Sequence, residues 1–252
     1  MVKRFGAHCA LKDTDIALLQ ALATSESREV KAGDILWRTG ETADALLILQ
    51  QGWACTTRYL QDGSRQVQEI FLPGDILGLY ELAFGDRRDD ATMLTDGIVS
   101  ELPHHQVLEI FSRSPRMTAV LFAISNQHQA ILAERLVVLA RRSARERIAH
   151  FLCECRARLL ATEEADADGF LLPLTQQDLA DALGLSAVHI SRTFTSLAEE
   201  GLVQRNHFHL MIRDPERLAE VANFDGSYLR VYWEECDEPA APSSLSPPIE
   251  AG

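Results

Sequence analysis

The sequence predicts an α+β fold built from an N-terminal β-roll, one long helix and a C-terminal winged helix-turn-helix. Three observations carry that reading. From about Val30 to Pro103, short apolar runs are punctuated by glycines. From Pro115 to about Arg142, apolar residues recur every three or four positions instead. Then "LTQQDLADALGLSAVHISRTFTSLAEEGLV", from Leu174 to Val203, reads as two short helices about a tight turn. The chain thus divides into residues 1–114 (the roll), 115–142 (the long helix), 143–214 (the winged helix-turn-helix) and 215–252 (a helix and a tail).

In chain order, Asp13 to Thr24 is expected to form a helix. Gly33, Gly40, Gly52, Gly63, Gly74 and Gly78 then separate segments such as "ALLILQ", "ACTTRYL" and "QVQEIFL". Many short strands with regular turn signals indicate a roll or barrel. Asp62-Gly63 is a hairpin signal between two of them.

The long helix carries Met117, Leu121, Ile124, His128, Ile131, Arg135 and Val138 in steps of three and four, with Leu132, Leu136 and Leu139 beside them. A seam of that length suits a two-chain coiled coil. It is therefore expected to be a dimerisation helix, with Leu121, Ile124, His128, Ile131, Arg135 and Val138 at the interface. The alternative is a helix packed on its own domain. His128 and Arg135 are expected near the seam margin or paired across it. A second helix, about Ala144 to Leu160, should follow a hinge at Ser143, and "ATEEADADG" reads as an acidic loop.

In the helix pair, Thr175 with Asp178 three residues on is a capping-box start. Leu179, Ala182 and Leu183 fall at helical spacing, and Ala180 is small enough for a second helix to cross closely. Gly184 stands where the first helix stops and φ > 0 is needed. Ser186 is a good N-cap for the second helix. Ile190, Phe194 and Leu197 form its inner face; Ala187, Val188, His189, Ser191 and Arg192 form its outer face. "GLVQRNHFHLMIRD" reads as a strand, a turn near Asn206 and His207, and a strand with Phe208, Leu210 and Ile212 on one face. Helix, turn, helix and hairpin make a winged helix, whose second helix is suited to a DNA major groove. An ordinary αα-hairpin is the competing reading. "DPERLAEVANF" starts a helix with Pro215 in its first turn, and "DEPAAPSSLSPPIEAG" has the composition of a disordered tail.

At 252 residues, 46% hydrophobic and 24% charged, the chain suits two globular domains with sizeable cores. No apolar run is long enough to span a membrane and "MVKRFGAHCA" lacks a signal-peptide core, so a cytoplasmic location is expected. Cys9, Cys55, Cys153, Cys155 and Cys236 are odd in number and scattered, which argues against a disulfide framework. On a helix, Cys153 and Cys155 point about 200° apart. Buried or incidental thiols are expected, with no metal site and no cofactor. The net charge of −13 opposes DNA, yet residues 141–217 hold 10 Lys and Arg against 12 Asp and Glu. Affinity for DNA must then rest on a few placed contacts and on dimerisation.

Taken together, "AGDILWRTGETADALLILQQG", "LPGDILG", "RERIAHFL" and "LTQQDLADALGLSAVHISR" resemble the Crp/Fnr transcription regulators. The resemblance covers nearly all of the chain up to about Asp214. It implies a cyclic-nucleotide-binding-like sensory roll, a homodimer, double-stranded DNA as target and contact with RNA polymerase. It places Arg192 where the family reads a guanine with an Arg fork. Ser191 before it resembles the Ser-Arg pair of the Fnr-like branch. Val188 stands where both main branches use Glu, and Ala187 where the Crp-like branch uses Arg; both are apolar and suited to thymine methyls. Gln176, Gln177 and Ser186 match positions that hold phosphates, and His189 completes the DNA-facing set.

The sensor departs further from the family pattern. Cyclic-nucleotide binders carry Gly-Glu after the "GD" strand and an Arg-Ser pair for the cyclic phosphate. Here Leu79 follows Gly78, and "RRDDATM" puts Asp89 and Asp90 about where Arg and Ser belong; carboxylates repel a phosphate. A shifted alignment onto Arg87 and Arg88 is the alternative. The oxygen-sensing branch needs clustered N-terminal cysteines, and only Cys9 is there. His8, Cys9, His104 and His105 are open to haem ligation or to a plain surface role. The leading function is a homodimeric sequence-specific transcription regulator with an unidentified effector. The alternative is a small-molecule-sensing module acting through protein contacts. No Walker loop, G-x-S-x-G, HExxH or dinucleotide fingerprint supports an enzyme.

Overall fold

The computed structural model describes residues 12–17, 27–165 and 169–230. Residues 13–17 are helical, which is the start of the expected Asp13–Thr24 helix; its remainder lies outside the described residues, as do the tail and the middle of the acidic loop. The roll comprises β1 (Ser27–Val30), β2 (Ile35–Trp37), β3 (Ala45–Gln51), β4 (Ala54–Tyr59), β5 (Arg65–Phe71), β6 (Ile76–Leu77), β7 (Asp90–Met93) and β8 (Gly97–Pro103). They form two four-stranded antiparallel sheets, ordered β1-β8-β3-β6 and β2-β7-β4-β5. In the β4–β5 hairpin, Asp62 accepts hydrogen bonds from the Ser64 amide (2.9 Å) and hydroxyl (2.6 Å), and Gly63 takes φ 82°.

Side chains alternate across a strand, and β3 shows the consequence. Leu47 and Leu49 join Trp37, Ala54, Phe71, Met93 and Val99 between the sheets. Leu46 and Ile48 face the other way, onto two helices: α1 (His104–Arg113) and α2 (Pro115–Arg141). Both faces are buried, so β3 reads as an unbroken apolar run. Sequence reasoning did not single out a helix over 104–113, although Val107, Leu108, Ile110 and Phe111 recur at helical spacing there; of these Val107 and Ile110 are buried. Helix α2 is capped by Ser114, whose Oγ accepts from the Met117 amide and donates to Asp15.

The orientation of α2 sets the residues of the expected dimer seam against their own chain. Leu121 and Ile124 pack with Leu46, Ile48, Ile76 and Leu102 of the roll. His128 is buried beside Glu69, and Ile131 and Val138 are also buried. Arg135 donates to the Gln68 carbonyl at 2.7 Å. The whole Leu121–Val138 stripe is thus used by its own chain. A helix of this length carries two apolar stripes, and periodicity cannot assign either to a partner. A second, adjoining stripe is the exposed one: Phe122 is 62% and Leu136 70% accessible, with Leu132 and Val137 also exposed.

Helix α3 (Ala144–Ala161) follows at once. Ser143 is its N-cap, forming a capping box with Glu146, so the expected hinge residue is held by reciprocal hydrogen bonds. The winged half adds β9 (Gly169–Leu171), α4 (Gln176–Leu183), α5 (Ala187–Glu199), β10 (Val203–Asn206), β11 (His209–Ile212) and α6 (Pro215–Ala222). Its sheet is ordered β10-β11-β9. A Cβ on Gly169 would lie 2.2 Å from the Leu210 carbonyl oxygen, so β9 approaches β11 only because that residue is glycine. One core runs from Trp53, Val67 and Ile70 of the roll through Phe151 and Leu152 of α3 to Leu179, Ile190 and Leu210 of the winged half.

A surface clamp reinforces that junction. Arg65 at the end of the β4–β5 hairpin holds Asp178 at 2.5 Å and Asp181 at 2.7 Å, both on α4. Burial alone would raise the Asp178 carboxyl, but hydrogen bonds from Thr175 and Arg65 outweigh it and hold it below the usual range. A carboxylate depressed on folding stabilises fully above its unfolded value, about 4, and that stability is lost as pH falls through the depressed value. Arg65→Ala is therefore expected to lower unfolding free energy by about 1–3 kcal/mol near neutrality. Denaturant unfolding at several pH values should show the gap between wild type and variant shrinking below about pH 4.

Candidate nucleic-acid interface

The helix-turn-helix is built by local chemistry. Thr175 accepts from the Asp178 amide at 3.1 Å while Asp178 accepts from the Thr175 amide at 3.0 Å, closing the capping box at the start of α4. Leu179, Ala180, Ala182 and Leu183 are buried. Gly184 ends the helix at φ 61°, ψ 41°, and the Leu185 amide returns to Ala180 at 3.1 Å. A side chain at Gly184 would be strained by the backbone alone. Ser186 caps α5 by accepting from the His189 amide, and Ile190 and Leu197 are fully buried beneath it. Phe194 is half-buried, with the Arg205 guanidinium 5.3 Å over its ring, so the wing leans on the second helix.

This leaves an outer face of defined composition. Val188, His189 and Arg192 are exposed, and Ala187 and Ser191 half-buried. Gln176, Gln177 and Ser186 are exposed at the two helix starts. The eight expected side chains thus lie on α4, α5 and the turn between them, but not all are free. Gln177 donates to Asp181 at 2.6 Å, and the His189 ring lies 3.0 Å from Ser186 Oγ. Most neighbouring cations are also engaged. Arg145 is bidentate on Glu200, Arg205 donates to the Leu174 carbonyl, Arg213 to Gln204, and Arg147 to the Leu183 carbonyl. Arg192 makes no hydrogen bond or ion pair with any of the described residues.

The wing corrects one detail and adds another. Phe208 was expected beside Leu210 and Ile212 but is half exposed, because it and His207 form the hairpin turn, with His207 at φ 52°. Alternation predicts a face only where the strand continues; here it begins at His209, paired with Asn206. Asn206, His207 and His209 therefore form an exposed polar tip that sequence reasoning did not single out. The pairing of two strands across a two-residue turn was the available signal.

In the roll, the positions expected to grip a phosphate hold carboxylates with partners of their own. Asp89 is buried, accepting from Arg58 at 2.8 Å and the Tyr80 hydroxyl at 2.7 Å. Asp90 accepts from the Thr39 amide and hydroxyl. Of the shifted alternative, Arg87 is buried against Glu81 (3.2 Å) and the Ala45 carbonyl (2.6 Å) and lies 4.1 Å over Trp37, whereas Arg88 is exposed, 3.5 Å from Asp86 and 5.0 Å over Phe84. His104 and His105 are exposed on α1, while His8 and Cys9 lie outside the described residues. Burial pushes the Cys55 and Cys153 thiols up to about 12, and Cys155 higher still, so these thiols are inert.

Residues 27–114 match the cyclic nucleotide-binding domain and residues 146–221 the Crp-like helix-turn-helix domain. The transcriptional activatory protein AadR of Rhodopseudomonas palustris is 31% identical over 229 residues, covering 87% of this chain and 93% of that protein. The nitrogen fixation regulation protein FixK of Bradyrhizobium diazoefficiens is 28% identical, covering 86% of this chain and 94% of its own length. In fold, the structure of FixK2 from Bradyrhizobium japonicum superposes with a TM-score of 0.70 at 24% identity, covering 78% of this chain and 96% of that one. A roll with carboxylates at Asp89 and Asp90, a long helix with an exposed apolar stripe and a winged helix-turn-helix presenting Arg192 are thus assembled in a transcription regulator of the Crp/Fnr family.

Proposed function

We propose that this regulator binds DNA as a homodimer joined along the exposed stripe of α2, with Arg192 of each copy reading one base and RNA polymerase as its partner at promoters. The free Arg192 on the outer face of α5 carries the reading. With net charge −13, the chain attracts DNA poorly at a distance, so specificity must come from placed contacts. A free guanidinium can present its fork to O6 and N7 of guanine, and exposed Val188 and half-buried Ala187 offer apolar surface to thymine methyls. Gln176 and the N-caps of α4 and α5 suit phosphates. The effector of the roll is, on this reading, not a cyclic nucleotide, because Arg87 is already neutralised by Glu81.

The dimer face follows from the exposed apolar residues. Phe122, Leu132, Leu136 and Val137 form a stripe that a monomer would leave in water. Ser125 and Gln129 continue it at heptad-like spacing. Leu132→Asp with Leu136→Asp is expected to halve the mass seen by light scattering while thermal stability of the fold is retained. Ile124→Asp, in the buried stripe, should instead unfold the roll, because it places a charge in a sealed core. Unchanged mass in the Leu132–Leu136 variant would rule out this face.

Arg192→Ala is expected to weaken specific binding by about 1–3 kcal/mol per half-site and to relax preference at one symmetric G·C pair. Arg192→Lys should restore attraction without the planar fork, leaving specificity incomplete. Gln176→Ala should weaken all sequences evenly. Binding to a library of half-site variants separates these outcomes. An even loss across sequences for Arg192→Ala would make it a backbone contact and overturn the base-reading role.

A further inference from the structure

The segment after α6 ties the winged half directly to α2. The helix-turn-helix match ends at residue 221 and α6 at Ala222. Asn223, at φ 45°, then turns the chain. Its carbonyl lies 3.5 Å from the guanidinium of Arg142, the residue that caps α2. Phe224 sets its ring edge-on to His150 of α3 at 5.2 Å, and the Tyr228 ring lies parallel to the same imidazole at 6.2 Å. The Tyr228 hydroxyl donates to Glu154 of α3 at 2.8 Å. One residue on, the Leu229 carbonyl accepts from Gln127 of α2. Asp225 holds the turn between these contacts by accepting from the Ser227 amide at 2.9 Å.

Residues 223–229 thus meet α2 at Arg142 and at Gln127, about 22 Å apart along the helix axis, and α3 in between. A contact at Arg142 alone would leave α3 free to pivot where the two helices join. A segment held at both ends of that span resists the pivot. Arg65 on α4 and Arg158 on Asp75 fasten the winged half to the roll; this segment fastens it to α2, which carries the exposed apolar stripe. In a dimer joined along α2, the angle between α2 and α3 decides how far apart the two copies of α5 lie. A rotation of about 10° moves a point about 20 Å away by about 3.5 Å, close to one base-pair step. We propose that residues 223–229 are a strap that fixes this angle, with Tyr228 as its positioning residue, and so sets the half-site spacing that the dimer accepts. The proposal rests on the reading of the protein as a homodimeric DNA binder and gives that reading its operator geometry. Tyr228 is the residue to test, because its ring packs on α3 and its hydroxyl meets a carboxylate that Arg135 of α2 also faces at 3.6 Å.

The probes are duplexes that the full chain selects from a random DNA library, rebuilt with both half-sites fixed and the spacer changed by one or two base pairs. The wild-type protein is expected to prefer one spacer by about tenfold over its neighbours. Tyr228→Ala should remain a folded dimer by light scattering and thermal melting, with that preference reduced to about twofold. Tyr228→Phe, which keeps the ring packing and loses the hydroxyl, should fall between the two. A role in stability alone would lower affinity evenly at all spacers. That even loss in Tyr228→Ala, or a preference unchanged from wild type, overturns the proposal; if the alanine variant does not fold, the same results with Tyr228→Phe do so. A wild-type protein indifferent to the spacer overturns it as well. Selection that recovers no paired half-sites removes the homodimer reading and the strap's role with it. Paired half-sites whose spacing the variants read as the wild type does remove the strap's role alone.

Discussion

The arrangement of the two halves depends on a buried charge. Arg158 of α3 lies almost fully buried where the roll meets the winged half, with its guanidinium 2.5 Å from Asp75 and 3.6 Å from Glu154. It also donates to the Ile70 carbonyl. Burial works against its charge, but the two carboxylates more than compensate and keep it protonated. Glu154 in turn lies 3.6 Å from Arg135 of α2 and accepts from the Tyr228 hydroxyl at 2.8 Å. One network thus ties the roll, both long helices and the segment after α6. A buried pair of this kind adds little net stability over an apolar replacement, but losing one partner strands the other charge. It therefore acts as a specification of geometry: few alternative packings satisfy every member.

Once α3 is fixed, the winged half has little freedom. The apolar core is continuous from Trp53 and Ile70 into Leu179 and Ile190, and Arg65 grips α4 from outside. The grip has a second effect. Asp178 and Asp181 would otherwise present two unpaired carboxylates on α4, the helix that braces α5, and Arg65 offsets one of the two charges. Local compensation of this sort lowers the negative charge next to α5, which exposes Arg192 on its outer face.

Helix α2 is under two demands at once. Its Leu121–Val138 stripe closes the roll, and its Phe122–Leu136 stripe is left apolar and exposed. His128 belongs to the first stripe and Leu132 to the second, and both line one cavity of about 260 Å³ against the roll. Any change in how α2 rests on the roll therefore moves the cavity wall and the exposed stripe together.

Local chemistry was legible in the sequence. Capping residues, the Asp62-Gly63 turn, the left-handed Gly184 and Pro215 at the start of α6 act within a few residues, so their consequences are readable without tertiary contacts. The shared motifs also revealed the family. Sequence reasoning set the Leu121–Val138 stripe at a dimer interface, with packing on its own domain as the alternative, because helical periodicity does not say which neighbour a stripe meets. It missed β9, a three-residue strand defined by pairing with β11, and placed Phe208 on a strand that had already turned. The engagement of Arg87 by Glu81, of Asp89 by Arg58 and of His128 by Glu69 joins residues from different strands and helices. Only the packing of the roll against α2 brings them together, and that packing decided what the sensor can hold.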